Sequence, residues 1–305
     1  MASSFPPARA RSGRVLALFG PTASGKSAVA RILRERLGAE VVSADSAALY
    51  DGLPVITAAP DYPARLVGIV PLGADISVGE YQRLAHAAID ECDVPLVVGG
   101  TGLYLRAALS ALDLPPPAAT ERRAFWQDEY DRLGPESAHA VLAARDPAAA
   151  GRVHANDRKR VVRALELAEA GHSLAPPENR LWATDTRLPT TIVGLDVPLD
   201  ELDRRIHDRT LAMAAAGAAV EARRAWAGPL SETARKVLGL EQFATLPEDE
   251  AIAAVTAATR RLARYQRKWL RRLAGAVRVD GNRAPSEVAD EIVALGRERQ
   301  RLPGH

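Results

Sequence analysis

Cysteine is almost absent from the 305 residues: Cys92 stands alone, so no internal disulfide supports the fold and no thiolate metal cluster or dithiol redox pair can form. A lone thiol is expected to be buried and inert, and the chain to suit a reducing compartment, with the cytoplasm as the expected location. Long apolar runs are missing as well. No stretch approaches the roughly 20 residues that span a bilayer, which excludes a transmembrane helix and predicts no membrane partner. Residues 1–13 hold no acidic residue and no apolar segment of secretory type, and are expected to form a disordered tail. No internal repeat is present, and the alanine enrichment favours helix.

Against these absences stands an ordinary globular composition, 47% hydrophobic and 26% charged, in a chain long enough for one large domain or a core carrying an inserted one. The net charge of +2 conceals a local concentration. Residues 260–272 hold seven basic side chains (Arg260, Arg261, Arg264, Arg267, Lys268, Arg271, Arg272) and no acidic one, a density that attracts a polyanion. Helical spacing puts Arg260, Arg264, Arg267 or Lys268, and Arg271 on one face. Leu262, Tyr265, Trp269 and Leu273 fall toward another, which predicts one packed side and one charged side available to an RNA backbone.

Periodicity supplies the architecture. Val15–Phe19 is a short apolar run ending at a glycine, and residues 27–37 follow with helical spacing. Val41 and Val42 predict a second strand that delivers Asp45 at its carboxyl end. A helix over 81–92 then leads to a third strand over 94–98, again ending in glycines. Strands alternating with helices predict a parallel sheet whose ligands gather beyond the strands' carboxyl ends, so the three loops should meet. After Leu112 the pattern changes: Pro115-Pro116-Pro117 is a break, and helices are expected over 121–133, 138–144 and 158–170. A second break falls at Ala175-Pro176-Pro177, beyond which a strand over 191–197 and a long helix from Leu202 resume the alternation. The expected fold is therefore α/β, a P-loop NTPase-like parallel sheet flanked by helices, with an inserted all-helical subdomain. Residues 14–114 and 189–305 form the core and residues 115–188 the insertion.

The chemistry begins at Gly20-Pro21-Thr22-Ala23-Ser24-Gly25-Lys26-Ser27, which fits the phosphate-binding loop G-x-x-x-x-G-K-[ST] and lies between strand and helix as that loop requires. Glycines let backbone N–H groups close around phosphate oxygens, Lys26 adds positive charge, Ser27 can ligate Mg²⁺, and the helix N-terminus favours the anion. Most chains with such a loop act on ATP or GTP, with an acidic Mg²⁺ ligand ending a hydrophobic strand. Here Leu96-Val97-Val98 ends instead in Gly99-Gly100-Thr101, and the acid near the site is Asp45.

Taken with Asp45-Ser46-Ala47-Ala48-Leu49-Tyr50, Thr57-Ala58-Ala59-Pro60, Val98-Gly99-Gly100-Thr101-Gly102-Leu103-Tyr104, His154-Ala155-Asn156-Asp157, Arg163-Ala164-Leu165-Glu166, Arg209, Met213, Gly217, Gly239 and the segment 266–269, the chain resembles the tRNA dimethylallyltransferases in order over about 15–269. Ala59 stands where that family usually carries lysine, Ala155 where proline and Tyr265 where arginine is usual, and histidines often present near Ala64 are missing.

The resemblance implies that the exocyclic amine of the adenine immediately 3′ of the anticodon attacks C1 of dimethylallyl diphosphate and expels diphosphate. A delocalised amine is a poor nucleophile, so a base that accepts its proton should help, and Asp45 fits that role, with Mg²⁺ ligation or helix capping as its alternatives. Arg209 and Thr101 would join it as catalytic groups, stabilising charge on the leaving oxygen. Gly20, Thr22, Ala23, Ser24, Gly25, Lys26, Ser27 and Arg209 would hold the diphosphate, with Mg²⁺ on Ser27. Asp45, Ser46, Ala47, Ala48, Thr101, Arg123, Arg158, Lys159, Arg160 and Gln266 would contact tRNA, whose anticodon stem-loop can present an unstacked base. A monomer is expected. Three other readings stay open on sequence: prenylation of free adenine nucleotides, a P-loop kinase of a small metabolite, and an RNA-binding protein with a vestigial loop.

Overall fold

The computed structural model describes residues 13–112, 114, 120–175 and 184–301. The expected breaks at 115–117 and 176–177 and nearly all of the expected tail lie outside the described residues. The chain divides into two compact units, Met1–Ala111 with Leu181–His305, and Leu112–Arg180.

In the larger unit, strand β1 (Val15–Phe19) runs into the phosphate loop and helix α1 (Lys26–Leu37). Then come β2 (Glu40–Ser43), the single turn α2 (Pro54–Thr57), β3 (Ala64–Arg65), α3 (Val78–Glu91), β4 (Pro95–Gly99) and α4 (Gly102–Leu109). The smaller unit interrupts the chain here with α5 (Thr120–Leu133), α6 (Pro135–Arg145), α7 (Pro147–Ala150) and α8 (Arg158–Glu169). The larger unit resumes with β5 (Thr190–Asp196), α9 (Leu199–Ala215), α10 (Ala218–Trp226), α11 (Leu240–Thr245), α12 (Glu248–Arg272), β6 (Val277–Asp280) and α13 (Pro285–Arg301).

The sheet has six strands in the order β3-β2-β4-β1-β5-β6, every neighbouring pair parallel. Its apolar strands carry side chains to two covered faces, as parallel strands must. On one face Leu18, Val41, Leu96, Val193 and Val279 pack with Val29, Leu33, Val288 and Ile292 from α1 and α13. Register aligns the strand ends: Phe19 lies opposite Gly99 on one side and Gly194 on the other. The loops that follow therefore open at one edge of the sheet, where a doubly wound fold places its ligands. Gly99 sits so close to the β2 loop that an added Cβ would lie 2.1 Å from the Ala44 carbonyl oxygen, which admits no side chain.

The smaller unit is all helical among its described residues and has its own core, built from Trp126, Tyr130, Leu142, Val161, Val162 and Leu165. Its extent, 112–180, ends earlier than the expected 188. Asp185 and Arg187 belong to the larger unit, where the Ser110 hydroxyl donates to the Asp185 carbonyl at 2.9 Å and Arg187 pairs with Asp90 at 2.7 Å.

Two strands escaped the sequence reading: β3 is two residues of backbone pairing, and β6 is an edge strand in which only Val279 is fully buried. Helix α12 corrects an expectation about its faces. Leu262 and Tyr265 are exposed, at 36% and 57%, whereas Ala263, Gln266 and Leu270 are buried. Of the expected apolar face, Leu273 is buried and the Trp269 ring lies against Gly102, and Leu270 packs over Gly194, so only Leu262 and Tyr265 depart from the expectation. The arginine row is also used internally: Arg260 and Arg264 pair with Asp203 at 3.7 and 2.9 Å, and Arg267 with Asp196 at 3.1 Å. Arg261, Lys268 and Arg271 remain on the exposed side. Among the described residues no helix is long and apolar enough to cross a membrane.

Candidate active site

The phosphate loop keeps its shape through a backbone that few side chains tolerate. Gly25 has φ 88°, and Ala23 holds φ 62°, a left-handed conformation that a non-glycine residue adopts only when its surroundings enforce it. Part of that enforcement comes from outside the loop. The Thr22 N–H donates to Oε1 of Gln266 on α12 at 2.7 Å, and the Thr22 hydroxyl accepts from Arg209 Nη1 on α9 at 3.0 Å. Gln266 is inserted where Gly100 leaves room, for a Cβ on that glycine would lie 2.6 Å from its Nε2.

Lys26 donates to the Pro21 carbonyl at 2.7 Å, folding its ammonium back over the loop. Burial pushes this lysine down from the ordinary 10.5 to about 8; Asp45 counteracts the fall and Arg209 adds to it. Arg209 is likewise lowered, chiefly by burial, and Asp45 again opposes the shift. Lys26 and Arg209 are therefore two cations lowered by burial next to one carboxylate. Together with Ala23, Gly25, Ser27, Ala28 and Arg205 they line a cleft of about 260 Å³.

Asp45 is fixed beyond β2 by a local turn in which its Oδ1 accepts the Ala47 N–H at 3.0 Å. Thr101, at the head of α4, meets the same loop, its Oγ1 lying 3.4 Å from both the N–H and the hydroxyl of Ser46. The Tyr81 and Tyr104 rings pack in a tilted pair, centroids 4.5 Å apart, with the Tyr81 hydroxyl donating to the Ser43 carbonyl at 2.9 Å. Burial first, then a neighbouring phenol (Tyr104 for Tyr81, Tyr50 for Tyr104) and after it Asp45 raise both phenols, Tyr104 to about 12, so they stay neutral. The three loops thus meet: phosphate cradle, carboxylate and hydroxyl occupy one end of the sheet.

The remaining expected residues are placed as follows. Ser46 and Ala47 are partly exposed beside Asp45, while Ala48 is buried and its carbonyl accepts the Gly68 N–H at 2.9 Å. Gln266 is 5% exposed and engaged with Thr22. In the smaller unit Arg123 lies 3.4 Å from Glu166, Arg158 makes a two-pronged pair with Asp131, and Arg160 lies 3.3 Å from Asp157. Lys159 is exposed. Cys92 is buried and its thiol pushed up to about 11 by desolvation, which removes it from chemistry.

Three features were not read from sequence. Arg205 enters the cleft four residues before Arg209, a helical spacing that could have revealed it. The amide brace from Gln266 and the buried Glu221, which caps α2 by accepting from Val55 and Ile56 at 3.0 and 2.8 Å, are long-range and had no local signal. No group of three His, Cys, Asp or Glu able to hold a metal exists among the described residues. The donor set suits Mg²⁺, which commonly takes one or two protein oxygens and completes its shell with phosphate and water; the exposed Ser27 hydroxyl at the cleft is such an oxygen.

Fold and site define a P-loop α/β protein whose glycine-bounded loop lies beside a carboxylate and a hydroxyl. A family model described as IPP transferase matches residues 48–273. The chain is 41% identical to the tRNA dimethylallyltransferase of Anaeromyxobacter dehalogenans strain 2CP-1 over 86% of its own length and 91% of that protein. It is 42% identical to the tRNA dimethylallyltransferase of Streptomyces avermitilis over 88% and 90%. The crystal structure of the full-length tRNA isopentenylpyrophosphate transferase from Bacillus halodurans is similar with a TM-score of 0.67 at 27% identity, covering 96% of this chain and 100% of that one. The chain belongs to the IPP transferase family.

Proposed function

We propose that the protein transfers a dimethylallyl group from dimethylallyl diphosphate to the N6 amine of the adenine 3′-adjacent to the anticodon in tRNA, releasing diphosphate. The observation that carries this reading is the placement of Asp45 and Thr101 at a phosphate cradle whose cations, Lys26 and Arg209, are desolvated and feel the Asp45 charge. A carboxylate base would serve a kinase as well; what favours alkylation is that β4 runs into Gly100 and Thr101 where a nucleotide hydrolase carries an acidic Mg²⁺ ligand, together with the family match over residues 48–273.

In this reaction the N6 lone pair forms the bond to C1 as the C1–O bond breaks, the electron pair leaves on the diphosphate oxygen, and the N6 proton passes to the Asp45 carboxylate. Lys26 and Arg209 supply charge stabilisation that grows as the oxygen becomes anionic, and the Thr101 hydroxyl is placed to donate to it. Ser27 would hold Mg²⁺, which when bound neutralises further charge on the diphosphate. Action as a monomer is part of this reading. Lys159 in the smaller unit and Arg261, Lys268 and Arg271 on α12 are exposed cations suited to the tRNA backbone.

The test is incubation of purified protein with labelled dimethylallyl diphosphate and an anticodon stem-loop, with AMP and ATP in parallel, followed by nucleoside mass spectrometry. Prenylated adenosine in the stem-loop is expected. Preferential transfer to AMP, or ATP turnover without prenyl incorporation, would replace this reading.

A further inference from the structure

The phosphate cleft contains a third cation. Arg205 lies one helical turn before Arg209 on α9 and lines the cleft with Lys26 and Ser27. Its guanidinium is held from two sides: Nε donates to Glu201 at 2.5 Å, and Nη2 donates to Oδ1 of Asn282 at 2.8 Å. Glu201 is itself gripped by Arg204 and then Arg205, which hold its carboxyl at about 2, so this support stays anionic at any working pH. Asn282 belongs to the loop between β6 and α13, and that loop is pinned to the end of β5 by the Gly281 N–H, which donates to the Asp196 carbonyl at 2.8 Å. Two edges of the planar fork are therefore occupied, and Nη1 has no partner among the described residues. A guanidinium oriented in this way at the edge of an anion cleft is preorganised for a phosphate oxygen.

Arg209 and Arg205 are not equivalent. Arg209 donates to Thr22 and feels Asp45, so it belongs to the end of the cleft where the C–O bond breaks. Arg205 is displaced by one turn and is fastened to Glu201 and Asn282 instead of to Thr22. We propose that Arg205 binds the distal phosphate of the donor, the phosphate not bonded to the migrating carbon, with Glu201 and Asn282 as its positioning residues. This rests on the reading above for the identity of the donor. The distal phosphate carries nearly the same charge before and after C–O cleavage, so a contact to it strengthens donor, transition state and diphosphate product alike. It acts on KM and on product retention and leaves the bond-breaking step to Arg209.

The experiment measures binding of inorganic diphosphate by calorimetry at fixed Mg²⁺, together with donor KM and kcat, for the wild type, Arg205→Gln, Arg205→Lys and Asn282→Ala, with the fold checked by circular dichroism. Loss of one charge-assisted contact predicts that Arg205→Gln weakens diphosphate binding and raises donor KM about tenfold, with a much smaller change in kcat. Asn282→Ala should weaken both by a few-fold at unchanged Tm, and Arg205→Lys should restore part of the affinity. Unchanged diphosphate affinity in folded Arg205→Gln, or a fall in kcat at constant KM, would overturn the assignment. Should Arg205→Gln not fold, Asn282→Ala and Arg205→Lys decide the matter by the same two readouts. If the wild type binds diphosphate and transfers no prenyl group, the proposed reaction is wrong, while the Arg205 assignment stands or falls on the binding data alone.

Discussion

Raising the pH from 7 to 9 is expected to reduce kcat/KM for the prenyl donor about tenfold through Lys26. Burial lowers this lysine to about 8 in the free protein, with Asp45 opposing the shift and Arg209 reinforcing it. At pH 7 roughly nine-tenths of the molecules carry the ammonium, and at pH 9 roughly one-tenth do, so a donor that requires the cation loses about a factor of ten. The same shift bears on stability. In the unfolded chain the lysine remains charged to about 10.4, so below pH 8 both states are protonated and the native state carries the full desolvation penalty, ~3 kcal/mol. Between about 8 and 10.4 the native lysine sheds its proton first, and that penalty is relieved as pH rises. Lys26→Met should therefore abolish donor capture and at the same time stabilise the protein at pH 7. The assay is kcat/KM for the donor at saturating tRNA from pH 6.5 to 9.5, with urea unfolding of both proteins at pH 7. A profile flat to pH 9.5, or a Lys26→Met protein less stable than the wild type, would refute the argument.

Three further outcomes are expected. Asp45→Asn keeps the Ala47 N–H contact but loses the proton acceptor, so single-turnover transfer should fall by about 10²-fold or more while diphosphate binding changes little; undiminished turnover would remove Asp45 from the chemistry. Gln266→Leu leaves the Thr22 N–H without its acceptor, and should lower stability by about 1–3 kcal/mol and raise donor KM several-fold; a variant affected only in tRNA affinity would place Gln266 at the RNA instead. Gly99→Ala forces a methyl against the Ala44 carbonyl, where the gap is 2.1 Å, and should cost about 3 kcal/mol or prevent folding; a normal unfolding midpoint would show that the β2 and β4 loops are not so tightly apposed.

The sequence by itself determined the local facts. The run Val15–Phe19 followed by the glycine-bounded loop read as strand, phosphate-loop motif and helix, and β1 and α1 lie there, because spacing and backbone freedom are properties of neighbours along the chain. Asp45 and Thr101 were legible for the same reason: each follows a short apolar strand, and parallel strands deliver their carboxyl ends to one edge. Tertiary structure decided whatever depends on which surfaces approach each other. Residues 260–272 read as a charged face for RNA, yet Arg260, Arg264 and Arg267 meet Asp203 and Asp196, acids some 60 to 70 positions earlier that no local pattern could pair with them. Gln266 became a brace of the phosphate loop because Gly100 left room for it, and Arg205 became part of the cleft because Glu201 and Asn282 turn it there. Spacing along one helix fixes which residues share a face, but only the partner surface fixes which face is buried.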